Sequence, residues 1–306
     1  MSESKQRSRR VAVLTSSRAD FSHLYWPLKA LAEHPAIELR LIAMGSHLSP
    51  EFGTTIKDIE RQGFTVDERV ECLLSSDMDT GMARTIGIAT LSLTDVLDRL
   101  RPDLLLLIAD RYELLAAAAA ALSLRVPIAH IEGGEISEGA IDDAVRNALT
   151  KMSHQHFTST EKARLRVLAM GEEPWRVHKT GAPSLDHLVK GRLPTRSELD
   201  EQLGTRLDDP FAVVAYHPVT LLKNTVAEAG AVYDALARLE TRIIFCFPNT
   251  DAGSRELIQR ARDFCKKHSH AQLFVNLRPE TYFGLLNEAS VMIGNSSSGI
   301  METPSL

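Results

Sequence analysis

The side chains able to do chemistry come in short polar clusters, each at the end of an apolar run. Asp110 and Arg111 follow "LLLLIA", Glu132 and Glu135 follow "VPIAHI", and Asp142 and Asp143 stand a few residues further on. Carboxylates gathered in a partly dry cleft can divide acid and base work, because burial and mutual repulsion push their pKa values apart. The competing reading is solvated loop charge, or ion pairing with Arg111 and Arg146. His130, in the same block, reads first as a core histidine bonded to backbone. Ser16, Ser17, Arg18 and Asp20 follow the first apolar run, "VAVLT". Taken singly, Ser16 and Asp110 read as helix N-caps.

The second half repeats the arrangement. "FAVVAY" leads to His217, "RIIFCF" to Asn249, and "ASVMI" to the run "GNSSSG". In that run small residues let the backbone approach a ligand, while Ser297 and Ser298 bring hydroxyls and amides to an expected helix start, which suits a diphosphate. It lacks the GK[ST] of a Walker loop, and no GxGxxG occurs elsewhere, so neither nucleoside triphosphate hydrolysis nor nicotinamide binding is supported. His217-Pro218 ends its strand abruptly, since proline cannot donate to the ladder, and leaves a histidine where it could meet a phosphate. His154 and His156 alternate along a strand-like run with no third ligand in view, so no metal site is expected.

Positioning these clusters requires strands with diverging loops. "VAVLT", "IELRLIAMG", "LLLLIA", "VPIAHI", "HQHFTST" and "WRVHKTG" are short apolar or β-branched runs separated by segments of helical period. Strands buried on both faces need no polar alternation, and parallel strands need helical crossovers. A second series, "FAVVAYHP", "RIIFCFPN", "AQLFVNL" and "ASVMIGNSSSG", follows the polar stretch "GRLPTRSELDEQLGTRLDDP". The expected fold is α/β, two Rossmann-like doubly wound domains over residues 1–180 and 181–306, with a cleft between facing sheets. Clusters at strand ends in both domains favour that cleft over a set of unrelated caps.

Composition narrows the function. The 306 residues are 44% hydrophobic, enough to bury two cores. A net charge of -5 and a pI near 6.1 give no overall basic field for a polynucleotide. No apolar stretch reaches bilayer length, and the basic start "MSESKQRSRR" runs into a strand-sized segment instead of a signal sequence. Cys72, Cys246 and Cys265, scattered and odd in number, fit a reducing compartment. A cytoplasmic protein without nucleic-acid or membrane partners is expected.

The segments "SSRADFSHLYWPL", "GSHLSPEFG", "ADRYELLAAA", "HIEGGEISEGAIDDAVRNALTKMSHQHF", the "HP" at His217 and "GNSSSGIMETPSL" together resemble the hydrolysing UDP-N-acetylglucosamine 2-epimerases of sialic acid biosynthesis. This is a bacterial family similar to the epimerase domain of the animal bifunctional enzyme. The resemblance runs from about Val11 to the end and implies a GT-B type fold, with the nucleotide held mainly by the second domain. It implies loss of UDP from C1 with the C2 proton, giving a 2-acetamidoglucal. Water then adds, yielding free N-acetylmannosamine. By motif match Asp110, Glu132 and Asp142 are its acid and base residues. Arg18, Arg111, His217, Ser297, Ser298 and Glu302 match nucleotide-binding positions: Arg18 and His217 toward phosphate, the serines capping the diphosphate, Glu302 accepting ribose hydroxyls, Arg111 neutralising the leaving group.

The resemblance implies a nucleotide-sugar substrate and no metal or redox cofactor; a homo-oligomer, dimer or tetramer, is expected. The substrate is UDP-N-acetylglucosamine or a close 2-acetamido relative, such as the diacetamido sugar used for legionaminic acid. Ala109 stands where the family usually has glycine, and Asn147 where it usually has histidine. Relatives continue past the position of Leu306, so an incomplete second domain is expected. The alternatives are a non-hydrolysing 2-epimerase, a GT-B glycosyltransferase, and a chain that binds UDP without turning substrate over.

Overall fold

The computed structural model describes residues 8–50, 53–74, 79–207, 210–219, 226–247 and 254–306. The chain divides into two compact units, Met1–Pro183 and Ser184–Leu306. Among the described residues no helix is long and apolar enough to cross a membrane.

The first unit is built on strands β1 (Arg9–Thr15), β2 (Ile37–Met44), β3 (Glu68–Val70), β4 (Leu104–Ile108), β5 (Ile128–Ile131), β6 (Gln155–Thr158) and β7 (Val177–Lys179). They form one sheet in the order β3-β2-β1-β4-β5-β6-β7. Every pairing is parallel. The helices are α1 (Arg18–Glu33), α2 (Ile56–Arg61), α3 (Asp79–Leu100), α4 (Leu114–Ser123), α5 (Asp142–Met152) and α6 (Glu161–Ala169). Alternate residues of β1 explain the doubly wound form. Val11 and Val13 pack into one core with Phe21, Leu24 and Leu28 of α1, whereas Ala12 and Leu14 pack into another with Leu93 of α3 and Ala117 of α4. Both faces are apolar because both are covered.

The second unit carries β8 (Phe211–Ala215), β9 (Arg242–Phe247), β10 (Ala271–Val275) and β11 (Val291–Gly294), paired in parallel in the order β10-β9-β8-β11. Its helices are α7 (Asp186–Val189), α8 (Arg196–Leu203), α9 (Ala229–Leu236), α10 (Ser254–Lys267), α11 (Pro279–Glu288) and α12 (Ser298–Met301). Here too β8 is buried on both sides: Val214 against Leu257 and Phe264, and Phe211 and Val213 against Leu199 and Phe283.

The α/β doubly wound architecture is the one the apolar rhythm predicts. The short strand β3 was not predicted, since its three residues, Glu68, Arg69 and Val70, carry no apolar run. In both sheets the strand order reverses beside the first strand of the series, between β1 and β4 and between β8 and β11. Loops diverge at such switch points, and open parallel sheets bind ligands outside their carboxyl ends there.

Candidate active site

The floor of the first unit's site is the turn from β1 into α1. Asp20 is buried and gathers donors: the backbone N–H groups of Ser16 and Ser17, each at 2.7 Å, and the hydroxyls of Ser17 at 2.8 Å and Ser16 at 3.1 Å. Ser17 and Asp20 form a capping box, so the N-cap is Ser17, and not Ser16 as the sequence suggests. Ser46 donates to the Ser16 carbonyl through its N–H at 3.0 Å and its hydroxyl at 2.8 Å. His47 lies between the hydroxyls of Thr15 and Thr55, at 2.9 and 2.8 Å, and burial holds it below its ordinary pKa. Arg18, half-buried, opens the helix on this rigid floor.

The carboxylates stand on the two neighbouring strand ends. Ala109 and Glu132 both adopt left-handed backbone, at φ +61° and +65°. The Ala109 N–H donates to the Ile131 carbonyl at 3.0 Å and the Glu132 N–H to the Phe157 carbonyl at 2.8 Å. His130, fully buried, donates its Nε2–H to the Ala109 carbonyl at 2.8 Å. It is the backbone-bonded core histidine that the sequence favours. Burial brings its pKa down to about 4. Behind Glu132 the two glycines have no room for a side chain: a Cβ would meet Thr150 Oγ1 at 2.9 Å from Gly133 and the Ala163 carbonyl at 2.4 Å from Gly134.

Asp110 is not an N-cap, because α4 begins only after Glu113. Its Oδ2 is bound by Arg146 Nη2 and lies 3.5 Å from the Ser137 hydroxyl. The Nε and Nη1 of Arg146 are buried without a hydrogen-bond partner among the described residues. Glu132 Oε1 accepts from His23 Nδ1 at 3.0 Å. The two environments pull in opposite directions. Burial, with the Glu132 charge added, raises Asp110 above the carboxylate range against the pull of Arg146 and Arg111. Burial also works to raise Glu132, but the His23 charge and hydrogen bond, with Arg146 and His130, bring it below that range.

Asp142 opens α5 one helical turn before Arg146 and is half-buried. Its neighbour Asp143 is occupied by the Ser137 N–H at 3.2 Å and by Asn147 Nδ2 at 3.1 Å. Glu135 turns aside to the Thr160 hydroxyl at 3.2 Å. Arg111 is held by Glu113, with Nη2 at 3.1 Å from Oε1. His154 Nδ1 accepts from the Ile128 N–H at 3.2 Å, and His156 lies 3.3 Å from Glu172, so the alternating pair serves the fold. Among the described residues there is no cluster suited to a metal ion.

In the second unit, Asn295 clamps the turn after β8. Its Oδ1 accepts from the His217 N–H at 2.7 Å and its Nδ2 donates to the His217 carbonyl at 2.9 Å. Gly294 sits at φ +146° with its missing Cβ 2.0 Å from the Ala215 carbonyl, so only glycine lets the two strand ends meet. Ser297 is exposed and Ser298 half-buried at the start of the short α12. Glu302 is buried, with Oε1 accepting from the Ser184 hydroxyl at 2.6 Å. Asn249 lies outside the described residues.

Thus Arg18, Asp110, Arg111, Glu132 and Asp142 belong to strand ends or first helical turns of the first unit, and His217, Ser297 and Ser298 to those of the second, where Glu302 closes α12. Sequence reasoning overlooked His23, and treated Arg146 only as a salt-bridge partner. The spacing Asp142 to Arg146, one turn on a helix, was the available signal for Arg146.

Two doubly wound sheets with polar groups at their switch points place the chain in the GT-B-like class of α/β proteins, and a solved relative agrees. The Methanocaldococcus jannaschii UDP-GlcNAc 2-epimerase, solved in complex with UDP-GlcNAc and UDP, superposes with a TM-score of 0.75 at 16% identity, over 95% of this chain and 80% of that one. The profile of one family, UDP-N-acetylglucosamine 2-epimerase, matches residues 29–306. The chain belongs to that family and is an epimerase. Among its relatives, the GDP/UDP-N,N'-diacetylbacillosamine 2-epimerase (hydrolyzing) of Campylobacter jejuni is 35% identical, over 97% of this chain and 78% of its own length. The UDP-N,N'-diacetylbacillosamine 2-epimerase (hydrolyzing) of Legionella pneumophila is 34% identical over the same shares.

Proposed function

We propose that this epimerase is a hydrolysing one, converting a UDP-linked 2-acetamido sugar into UDP and the free 2-epimer, which is N-acetylmannosamine when the substrate is UDP-N-acetylglucosamine. The observation that carries the proton transfers is the pair Asp110 and Glu132 on adjoining strand ends, one held by Arg146 and the other by His23, with burial and those partners pushing their acidities apart. The hydrolysing outcome is supported by the names of the two relatives above. Inverting C2 requires a base on one face of the sugar and an acid on the other. Glu132, favoured as carboxylate, is the base. It takes the C2 proton, the C–H electron pair forms the C1–C2 double bond, and the C1–O pair departs with UDP. Asp110, favoured as acid, then delivers a proton to the opposite face of C2 while water oxygen bonds to C1. The proton that water sheds restores Asp110, a transfer in which Asp142 takes part, and the one on Glu132 passes to solvent.

A C2 hydrogen is weakly acidic, so departure of the diphosphate must be eased at the same moment. Arg18, Arg111 and His217 take that part, and Ser297 and Ser298 cap the diphosphate. Glu302, with one oxygen held by Ser184, offers Oε2 to the ribose. Work in the cytoplasm is a further part of the proposal, supported by three free thiols. Assembly into a dimer or tetramer is another.

The experiment is incubation in deuterated water with UDP-N-acetylglucosamine and, in parallel, UDP-N,N'-diacetylbacillosamine, followed by NMR of the products. Deuterium at C2 of a free sugar, with UDP released, is expected for at least one substrate, and the faster one defines the C4 preference. A product still linked to UDP would mark a non-hydrolysing epimerase, and free sugar without deuterium would rule out proton abstraction.

A further inference from the structure

We propose that His23 is a positioning residue for Glu132, holding one carboxylate oxygen through Nδ1 so that the other meets the C2 hydrogen; this rests on the function proposed above. Both ends of the 3.0 Å contact are fixed by the fold. His23 lies on α1, whose start is locked by the Ser17–Asp20 capping box and whose inner face buries Leu24 and Leu28 completely. Glu132 is fixed by its left-handed backbone, by its N–H bond to Phe157, and by glycines that cannot tolerate a side chain. The two meet across 109 positions of sequence, so their contact is made by the fold and not by local geometry.

The charged and titratable groups facing Glu132 come from four elements: His23 on α1, Arg146 on α5, His130 on β5, and Asp110 beyond β4. The His23 side chain hydrogen-bonds the carboxylate directly. A carboxylate accepts, so Nδ1 carries the donated proton. Only 4% of the Glu132 side chain is exposed, and burial by itself drives a carboxyl toward its neutral form, which cannot act as a base. His23 opposes that, and pins Oε1 in one place.

The test compares steady-state kinetics and pH–rate profiles of wild type, His23→Ala, His23→Asn and Glu132→Gln, with urea unfolding of each. Asparagine places an amide N–H near the position of Nδ1 without a charge. His23→Ala should lower kcat roughly 10- to 100-fold, the usual cost of losing a bond that orients a reacting side chain, with little change in KM. Its acid limb in kcat/KM should move to higher pH, because Glu132 then protonates more readily. His23→Asn should recover much of the lost kcat. Wild-type kcat and pH profile in His23→Ala, or no recovery in His23→Asn, would overturn the inference, as would losses of kcat that merely follow losses of stability. A Glu132→Gln enzyme as active as wild type would remove the functional reading and this inference with it. A dead Glu132→Gln beside an unaffected His23→Ala would overturn this inference alone.

Discussion

Ala109 and Glu132 hold left-handed backbone without being glycine, at φ +61° and +65°, a conformation that costs an ordinary residue about 1–2 kcal/mol. Such strain persists where the surroundings fix it, here through the His130 bond to the Ala109 carbonyl and the strand-end bonds to Ile131 and Phe157. The result is that the next side chain on one strand end, Asp110, and Glu132 itself on the other belong to one electrostatic group. For Asp110 this leads to a prediction separable from folding. Asp110→Asn keeps an oxygen for Arg146 but has no proton to give, so turnover should fall roughly 10²- to 10⁴-fold while UDP affinity and the urea midpoint stay near wild type. Isothermal titration with UDP, beside the turnover assay, checks it. A parallel collapse of binding and stability would mark Asp110 as a structural anion for Arg146 and nothing more.

The loop from β5 to α5 carries Glu132 and then Asp142, and it is held against α6 by two contacts. Arg166 donates to the Gly134 carbonyl at 2.9 Å, and Gly134, at φ +82°, lies so close to α6 that a Cβ would stand 2.4 Å from the Ala163 carbonyl. Gly134→Ala must therefore both strain its own backbone and push the loop off the helix. A loss of roughly 1–3 kcal/mol in urea unfolding is expected, with a larger proportional loss of turnover because the displaced segment bears Glu132. Unchanged kinetics in that variant would show that the loop's seat on α6 does not matter to the site. The sequence made the elements of this region legible because strands buried on both faces leave an unbroken apolar run. It marked strand ends equally well, which is why Asp110, Glu132, His217 and Ser297 fall where expected. What it hid are contacts between distant segments. His23 is one polar residue in an amphipathic helix, and nothing within α1 says that it will meet Glu132. The choice of Ser17 over Ser16 as cap was by contrast legible, since Ser17 stands three positions before Asp20 and completes a capping box with it. Arg69 and Glu68 form β3 through pairing with β2, a decision made outside their own three-residue segment.

Acid should weaken the first unit. His47, His130 and His156 are buried in the first unit, and burial lowers the pKa of each. For His130 the folded value is about 4 against an ordinary 6.5, so between those limits the unfolded chain binds more protons than the folded one. Stability therefore falls as pH drops through 6.5, and the loss levels off below about 4. At pH 5 the contribution of His130 is roughly 2 kcal/mol. Asp110 works with the opposite sign, since its raised pKa lets the folded state bind a proton more readily. A comparison of variants separates the two. The chain's 2 tryptophans, Trp26 and Trp175, both lie in the first unit, so tryptophan fluorescence follows that unit during urea unfolding. The urea midpoint should be lower at pH 5 than at pH 7 in wild type. His130→Gln, which can still donate an amide N–H to the Ala109 carbonyl but cannot titrate, should shrink the difference. If the variant and wild type lose equal stability between pH 7 and pH 5, His130 is not buried as a neutral ring, and the bond that ties the strand ends of Asp110 and Glu132 together is not the one described.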